Sequence, residues 1–380
     1  MNVRLLQTVT ARREAIEKEK GIPFEAIGTY SLDEDMASTR NCENMIGVTQ
    51  VPLGIAGPMR VNATEYYVPL STTEGALVAS VNRGAKAMTE SGNAKAIAFR
   101  AGATRGPVFA VSGIEQGKAF AEFVYAHKEK LNVVAQQTSG HIRLTDVTVK
   151  SVGHYVFVRF VFNTQDAMGM NMVTIATDAM CTYLAQETKS QCISVAGNYD
   201  IDKKPAWLNV IAGRGFEVRA EVTIPSSIVS SVLKTTAKKV YDVWLAKCMI
   251  GSAMAGSMAF NAHVANVIAA IFLATGQDLG HIGQASIGIT TAEVVNENDL
   301  YMSVYLPDVM VGTVGGGTGL ATQKEALSIL GVMGGDDGKN SHLFSEIIAA
   351  AVLAGEISLL SSLSVGSLTA AHTQLARGKK

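Results

Sequence analysis

A chain of 380 residues exceeds what one hydrophobic core ordinarily supports, so two or three structural units are expected. Hydrophobic residues at 48% against charged residues at 17% suggest more buried surface than a monomer needs, and therefore a sizeable subunit interface. A formal net charge of -1 without any long Lys/Arg run leaves no electrostatic footprint for nucleic acid or an anionic membrane, and neither is expected as a partner.

Met1 leads into a charged stretch at 11–20 with no apolar h-region, so no secretory signal is expected and the cytoplasm is the expected compartment. Residues 5–20 have helical spacing and stop at Gly21, with Pro23 just beyond; this gives an N-terminal helical unit over 1–43. A Gly- and Pro-rich stretch at 43–58 and an apolar helix at 77–88 open a large unit, whose first part is 44–106. The composition shifts after Arg105-Gly106-Pro107. Ile142, Leu144, Val147 and Val149 alternate imperfectly, and 155–162 alternates aromatic and aliphatic residues, so two strands joined near Gly153 are expected. A helix then starts near Asp166, whose carboxylate could cap it, and runs to about Thr188. Together these read as a compact α+β unit, 107–193, inserted in the larger one. The large unit resumes over 194–380 with a segment at 203–214, a helix around 227–247, a stretch at 248–277, a Gly-rich loop at 312–319 and a final apolar helix across 346–368. Residues 248–277 carry no Asp, Glu, Lys or Arg, long enough to span a bilayer. Their Gly, Ser, Asn and His residues favour a buried helix that lines a site. The four cysteines, Cys42, Cys181, Cys192 and Cys248, form no C-x-x-C pair and have no His at zinc-ligand spacing, so free thiols and no metal are expected.

No G-x-G-x-x-G occurs, which argues against a Rossmann domain. The run 334–340 fails as a phosphate loop, because Met333 and Asn340 stand where Gly and Ser/Thr are needed. Several residues have two readings each. Ser71-Thr72-Thr73-Glu74 fits a capping box before the apolar helix, or Glu74 is a catalytic acid. Asp166-Ala167-Met168-Gly169-Met170-Asn171 is an N-cap with packed methionines, or backbone lying against a cofactor. Asp202-Lys203-Lys204-Pro205 is a solvated turn or a site, and His372 is a cation at a helix end or a proton donor. Asp278, after Gly276-Gln277, opposes a helix dipole there, which favours function.

These segments occur in one order: Glu43-Asn44-Met45-Ile46-Gly47, then Pro52-Leu53-Gly54-Ile55-Ala56-Gly57-Pro58, Thr72 to Ser80, Asn82-Arg83-Gly84, Asp166 to Asn171, Gly197-Asn198-Tyr199, Asp202 to Pro205, Gly251 to Gly256, Gly276-Gln277-Asp278 and Gly312 to Thr318. In this the chain resembles the 3-hydroxy-3-methylglutaryl-coenzyme A reductase family from about Glu43 to Arg377. Asp-Ala-Met-Gly-Met-Asn and Asp-Lys-Lys-Pro look like its class I branch. The resemblance implies an α+β fold: a large mixed helical and sheet substrate domain, an inserted ferredoxin-like dinucleotide-binding small domain and the short N-terminal unit. It implies a four-electron reduction of the acyl-CoA thioester to mevalonate and coenzyme A, with NADPH as cofactor and NADH the alternative. Two alternatives stand beside it: the mevalonate-oxidising direction, and a non-catalytic acyl-CoA or nucleotide binder.

By the same resemblance, Lys203 stabilises the oxyanions, His372 protonates the departing thiolate, Glu74 supplies the proton for the alkoxide, and Asp278 tunes the other two through a network with Lys203 and Glu74. Arg105, Asp166, Met168, Gly169, Met170, Asn171 and Arg377 would line the dinucleotide site. Ser80, Arg83, Lys204, Lys247 and Asn266 would contact substrate. The sites would lie at the interface of a homodimer, alone or within a homotetramer. Two departures matter: Ala196 stands where the class I pattern has Ser, and Gly378 where animal enzymes carry a phosphorylatable serine.

Overall fold

The computed structural model of the chain describes residues 5–92 and 94–366. The first helix, Val9–Lys20, begins where Thr8 Oγ1 accepts from the Ala11 N–H and ends where Gly21 turns left-handed (φ 66°). That start is four residues later than helical spacing alone suggests. Val9 packs with Ala37 and Met45 in a small cluster of its own.

Strands β1 (Leu53–Val61) and β2 (Thr64–Ser71) pair antiparallel as a separate two-stranded ribbon. The helix Leu77–Glu90 follows and packs on the long helix Lys339–Ser364. The two backbones meet at Gly84, where a Cβ would stand 1.9 Å from the Ala354 carbonyl oxygen.

Strand β3 (Lys95–Arg105) joins the two larger units. Its first part pairs with β8 (Arg214–Ile224), and its last three residues pair with β6 (Tyr155–Asn163). With β4 (Val108–Ala110), β5 (Arg143–Val152), β7 (Gln191–Ser194), β9 (Ile289–Val295) and β10 (Asp299–Val309), the sheet runs β7-β4-β6-β3-β8-β10-β9, and β5 lies on β6. One end of this sheet, β7-β4-β6-β5, is antiparallel throughout. It carries the helices Ile114–Ala126 and Lys128–Gln136 between β4 and β5, and Met170–Thr188 between β6 and β7. Buried residues divide accordingly. One cluster runs from Ala56 to Leu360; the other gathers Ala103 to Leu184 with Met310.

Four expectations are corrected. The helix after β6 starts at Met170, with left-handed Gly169 (φ 85°) at its N-cap, so Asp166 does not cap it. The expected helix over 227–247 is broken into Ser226–Ser231 and Ala237–Val243, and then widens into a π-helix, Trp244–Gly251. The uncharged stretch is not one helix: Gly256 turns left-handed (φ 67°) after Ser252–Ala255, and a new helix, Val264–Thr275, follows. The final helix begins at Lys339, seven residues before the apolar run signals it. It is long and apolar enough to cross a membrane, but 83% of its apolar window is buried in the core.

Candidate active site

Lys203 lies in the loop between β7 and the helix Trp207–Ala212, with φ at 58°. Its Nζ stands 2.7 Å from Asp278 Oδ2. Gly280 makes room for the pair, because a Cβ there would meet Lys203 Cδ at 2.9 Å and Asp278 Oδ1 at 3.0 Å. The helix Val264–Thr275 ends at left-handed Gly276 (φ 69°), and Asp278 then caps a short 3-10 turn, Leu279–His281, by accepting from the Gly280 N–H at 2.9 Å. The dipole conflict expected from sequence is thereby relieved, since Asp278 opens a turn rather than closing a helix. Burial would raise the Asp278 carboxyl, but the Lys203 ammonium, the Gly280 N–H and His281 outweigh it and hold it below the usual carboxylate range.

Sequence reasoning missed the charges beneath this pair. Arg214 and His281 are fully buried. Arg214 Nη2 donates to Asp202 Oδ1 at 2.9 Å and Nε to Thr104 Oγ1 at 2.7 Å. His281 Nε2 lies 3.8 Å from both Asp202 Oδ1 and Asp278 Oδ2. Burial and Arg214 push the His281 imidazole down to about 4, so it is neutral at physiological pH. His281 was within reach of sequence, three residues after Asp278. Arg214 was not, because an arginine at a strand start reads as surface.

The residues expected at the dinucleotide adopt a connected arrangement. Asp166 is buried, and its carboxylate accepts from the backbone N–H groups of Asp336 (2.6 Å), Gly338 (2.7 Å) and Ser341 (2.8 Å). Burial alone would raise this group, but the three amides hold it low. Asp166 thus caps the final helix from a distance, a contact that no local pattern encodes. Gly169 is required where it stands, since a Cβ would lie 2.5 Å from Thr164 Cγ2. Met168 and Met170 pack into the smaller core, Met170 Sδ accepts from Arg214 Nη2 at 3.2 Å, and Asn171 is exposed. Arg105 Nε donates to Thr174 Oγ1 at 3.1 Å, while Nη1 approaches Asp200 at 3.4 Å and Asp202 at 3.7 Å. Arg105 therefore links the helix after the methionine motif to the Lys203 loop.

The Gly-rich loop runs between the two motifs. Thr313 N–H donates to the Asp166 carbonyl at 2.8 Å, and Gln277 both donates to the Gly312 carbonyl at 3.0 Å and accepts from its N–H at 2.9 Å. Gly276 and Gly317 touch backbone to backbone. Gly315 and Gly316, at φ 80° and 56°, have open space where a Cβ would be, leaving bare backbone that a polyanionic dinucleotide could approach closely.

The expected substrate contacts are more dispersed. Ser80 Oγ and Arg83 Nε both bond Ser358 Oγ at 3.0 Å, and Arg83 Nη2 donates to the Ser358 carbonyl at 2.6 Å, so both are directed at the final helix. Burial lowers the Arg83 guanidinium. Lys204 Nζ donates to the Asp202 carbonyl at 3.2 Å, Lys247 is exposed on the π-helix, and Asn266 is half-buried near the start of Val264–Thr275. Glu74 is exposed and lies outside the helix. Its N–H donates to Thr72 Oγ1 at 2.9 Å, and left-handed Ala76 occupies the N-cap, so the capping box does not form. Glu74 faces a shallow depression of about 480 Å³ lined by Ile55, Ala79 and Asn82. Among the described residues no hydrogen bond or ion pair joins it to Lys203 or Asp278, so the expected three-residue network is half present within one chain. His372 and Arg377 lie outside the described residues.

Comparison with known proteins adds the following. Residues 8–377 match the family model described as hydroxymethylglutaryl-coenzyme A reductase. The 3-hydroxy-3-methylglutaryl-coenzyme A reductase of Methanothermobacter thermautotrophicus is 49% identical over 377 residues, covering 98% of this chain and 94% of that protein. The protein of the same name from Methanocaldococcus jannaschii is 47% identical over 376 residues, covering 96% of this chain and 92% of its own length. A solved class II 3-hydroxy-3-methylglutaryl-CoA reductase from Streptococcus pneumoniae, bound to NADPH in open conformations, superposes with a TM-score of 0.70 at 20% identity. It covers 95% of this chain and 99% of that one, a likeness of fold.

Proposed function

The chain belongs to the hydroxymethylglutaryl-coenzyme A reductase family, and from that premise we propose how its own residues carry the reaction. It is an NADPH-dependent oxidoreductase that reduces 3-hydroxy-3-methylglutaryl-CoA in the mevalonate pathway. NADPH supplies the hydride in each of two reductions, first of the thioester and then of the aldehyde. Bare backbone at Gly315 and Gly316, beside the motif from Asp166 to Asn171, supports a dinucleotide site there, with Asn171, Arg105 and Arg377 as its polar side chains. The order β7-β4-β6-β5 with intervening helices supports reading 107–193 as an inserted ferredoxin-like small domain.

The observation that carries the mechanism is the Lys203 to Asp278 contact at 2.7 Å. Each reduction places negative charge on the former carbonyl oxygen, and the Lys203 ammonium stabilises it; a lost donor of this kind costs about 3–4 kcal/mol of barrier. Asp278, held ionised, orients that ammonium, and so it is not the proton source. Glu74 protonates the alkoxide, and His372 protonates the thiolate of coenzyme A before it can re-add to the aldehyde. Glu74 is exposed in the single chain, which supports a site closed by a second subunit in a homodimer or homotetramer. The cytoplasm is the proposed location, and Ser80, Arg83, Lys204, Lys247 and Asn266 the proposed acyl-CoA contacts.

Lys203→Ala tests the assignment. Steady-state rates of thioester reduction and of mevaldehyde reduction should both fall by about 10²–10³-fold, the loss seen for an oxyanion donor. Near-normal turnover of either substrate would refute the role.

A further inference from the structure

Between residues 198 and 203 the loop places three non-glycine residues in the left-handed region: Asn198 (φ 62°), Ile201 (φ 49°) and Lys203 (φ 58°). A β-branched residue such as Ile201 is a true outlier there, and such conformations persist only where the surroundings over-determine them. Two buried amides hold the last two. Asn209 Nδ2 donates to the Ile201 carbonyl at 3.1 Å, and Gln284 Oε1 accepts from the Lys203 N–H at 2.6 Å.

Both amides end on one carboxylate at the close of β10. Asp308 Oδ2 accepts from Asn209 Nδ2 at 2.5 Å, and Oδ1 accepts from Gln284 Nε2 at 2.6 Å. Asn209, Gln284 and Asp308 are all fully buried, so water does not replace a lost link. The direction of every bond is fixed. A backbone N–H only donates, so Gln284 must turn its oxygen to Lys203 and its NH₂ to Asp308; a backbone carbonyl only accepts, so Asn209 must turn its NH₂ to Ile201. The group at 308 therefore has to accept from two amides at once. A carboxylate does this, and a neutral amide of the same shape does not.

We propose that Asp308 is a positioning residue for Lys203, acting through Gln284 and Asn209 to fix the left-handed turn that aims the Lys203 ammonium at the reacting carbonyl. The inference rests on the reading of Lys203 as the oxyanion-stabilising cation. It assigns work to a residue that never touches substrate, and it explains why a carboxylate is buried in the strand beneath the site.

The test uses the purified full chain with 3-hydroxy-3-methylglutaryl-CoA and with mevaldehyde. Asp308→Asn should lower kcat for both by roughly 10- to 100-fold, as loss of an orienting partner does, while the KM for NADPH stays close to wild type. The double variant Asp308→Asn/Gln284→Glu should recover most of that loss. The carboxylate moved to position 284 accepts from the Lys203 N–H and from the new amide at 308, whose oxygen still takes the Asn209 N–H. Wild-type kcat in Asp308→Asn would overturn the proposal. So would a double variant as slow as the single one while both melt at the wild-type temperature. If Asp308→Asn does not fold, Gln284→Met removes the branch from Asp308 to Lys203, both of its hydrogen bonds included, leaves the Asn209 branch to Ile201 in place, and should show the same kcat loss; full activity there would overturn the proposal too. Lys203→Ala with retained turnover would instead remove the reading on which the inference rests, whereas an inactive Lys203→Ala beside a fully active Asp308→Asn would remove the positioning role alone.

Discussion

At the scale of single residues, the site separates ionised from neutral groups by burial and partnership. Asp278 stays charged because an ammonium stands 2.7 Å away, and His281, a few residues on, stays neutral because it is buried beside Arg214. The unfolded imidazole binds protons below about 6.5, and the folded one only below about 4. Between those values the unfolded state takes up more protons, so this histidine makes the fold less stable as pH falls from about 6.5 to about 4. Asp308, pushed up to about 7 by burial, acts in the opposite sense over an overlapping range: below about 7 its folded form holds a proton that the unfolded form has released, and the carboxylate that accepts from both Gln284 and Asn209 is the form present above it. Their sum hides the histidine, but a comparison isolates it. His281→Gln should lose less melting temperature than wild type between pH 6.5 and pH 4.5; parallel curves would contradict the account. A kinetic expectation belongs to Glu74. As general acid its replacement by Gln should slow mevaldehyde reduction by about 10²–10⁴-fold. A rate within a few-fold of wild type would exclude it. Sequence marked Glu74, Lys203 and Asp278 through ordered motifs, yet Arg214, His281 and Asp308 escaped it. Their significance comes from burial and from partners far along the chain, such as Arg214 with Thr104 and Asp308 with Asn209.

At the scale of elements, local chemistry predicted stops and turns well where a cap is local. Gly21 ends the first helix where expected, although the Thr8 cap starts it four residues later than its spacing suggested, and Gly153 (φ 58°) turns β5 into β6 as its position implied. Where the cap is remote, the boundary was illegible. The final helix starts at Lys339 because Asp166, far earlier in the chain, accepts from the Gly338 N–H at its N-cap and the Ser341 N–H in its first turn. The π-helix over Lys247 was equally hidden, since a wider turn leaves no mark on hydrophobic spacing. Strand β8 was not foreseen, although its burial alternates along Arg219 to Ile224 where it packs on the final helix. Gly84 is a sequence signal whose meaning needed the fold: it permits the helix Leu77–Glu90 to touch the Ala354 carbonyl. Gly84→Ala forces the helices apart and should destabilise the protein by about 1–3 kcal/mol or more, read as a lower melting temperature. An unchanged melting temperature would mean that the contact is not close.

At the scale of the molecule, two cores share one strand. β3 carries the larger core on its first part and the smaller on its last, and Arg105 at its end reaches the Lys203 loop. The Gly-rich loop ties the methionine motif to Gln277 and so to Asp278. This arrangement brings the two motifs together without a Rossmann fingerprint. Leu53, Ile55 and Tyr67 on the β1-β2 ribbon are about half exposed, and Ile55 lines the depression that Glu74 faces. Under the proposed function one acyl group is reduced twice, first as the thioester and then as the aldehyde. The most direct test follows NADPH oxidation at 340 nm (the absorbance of the reduced nicotinamide) while released thiol is titrated, with the purified protein and 3-hydroxy-3-methylglutaryl-CoA. The account predicts two NADPH oxidised for each coenzyme A released. One NADPH per thiol, or thiol release without oxidation, would contradict it.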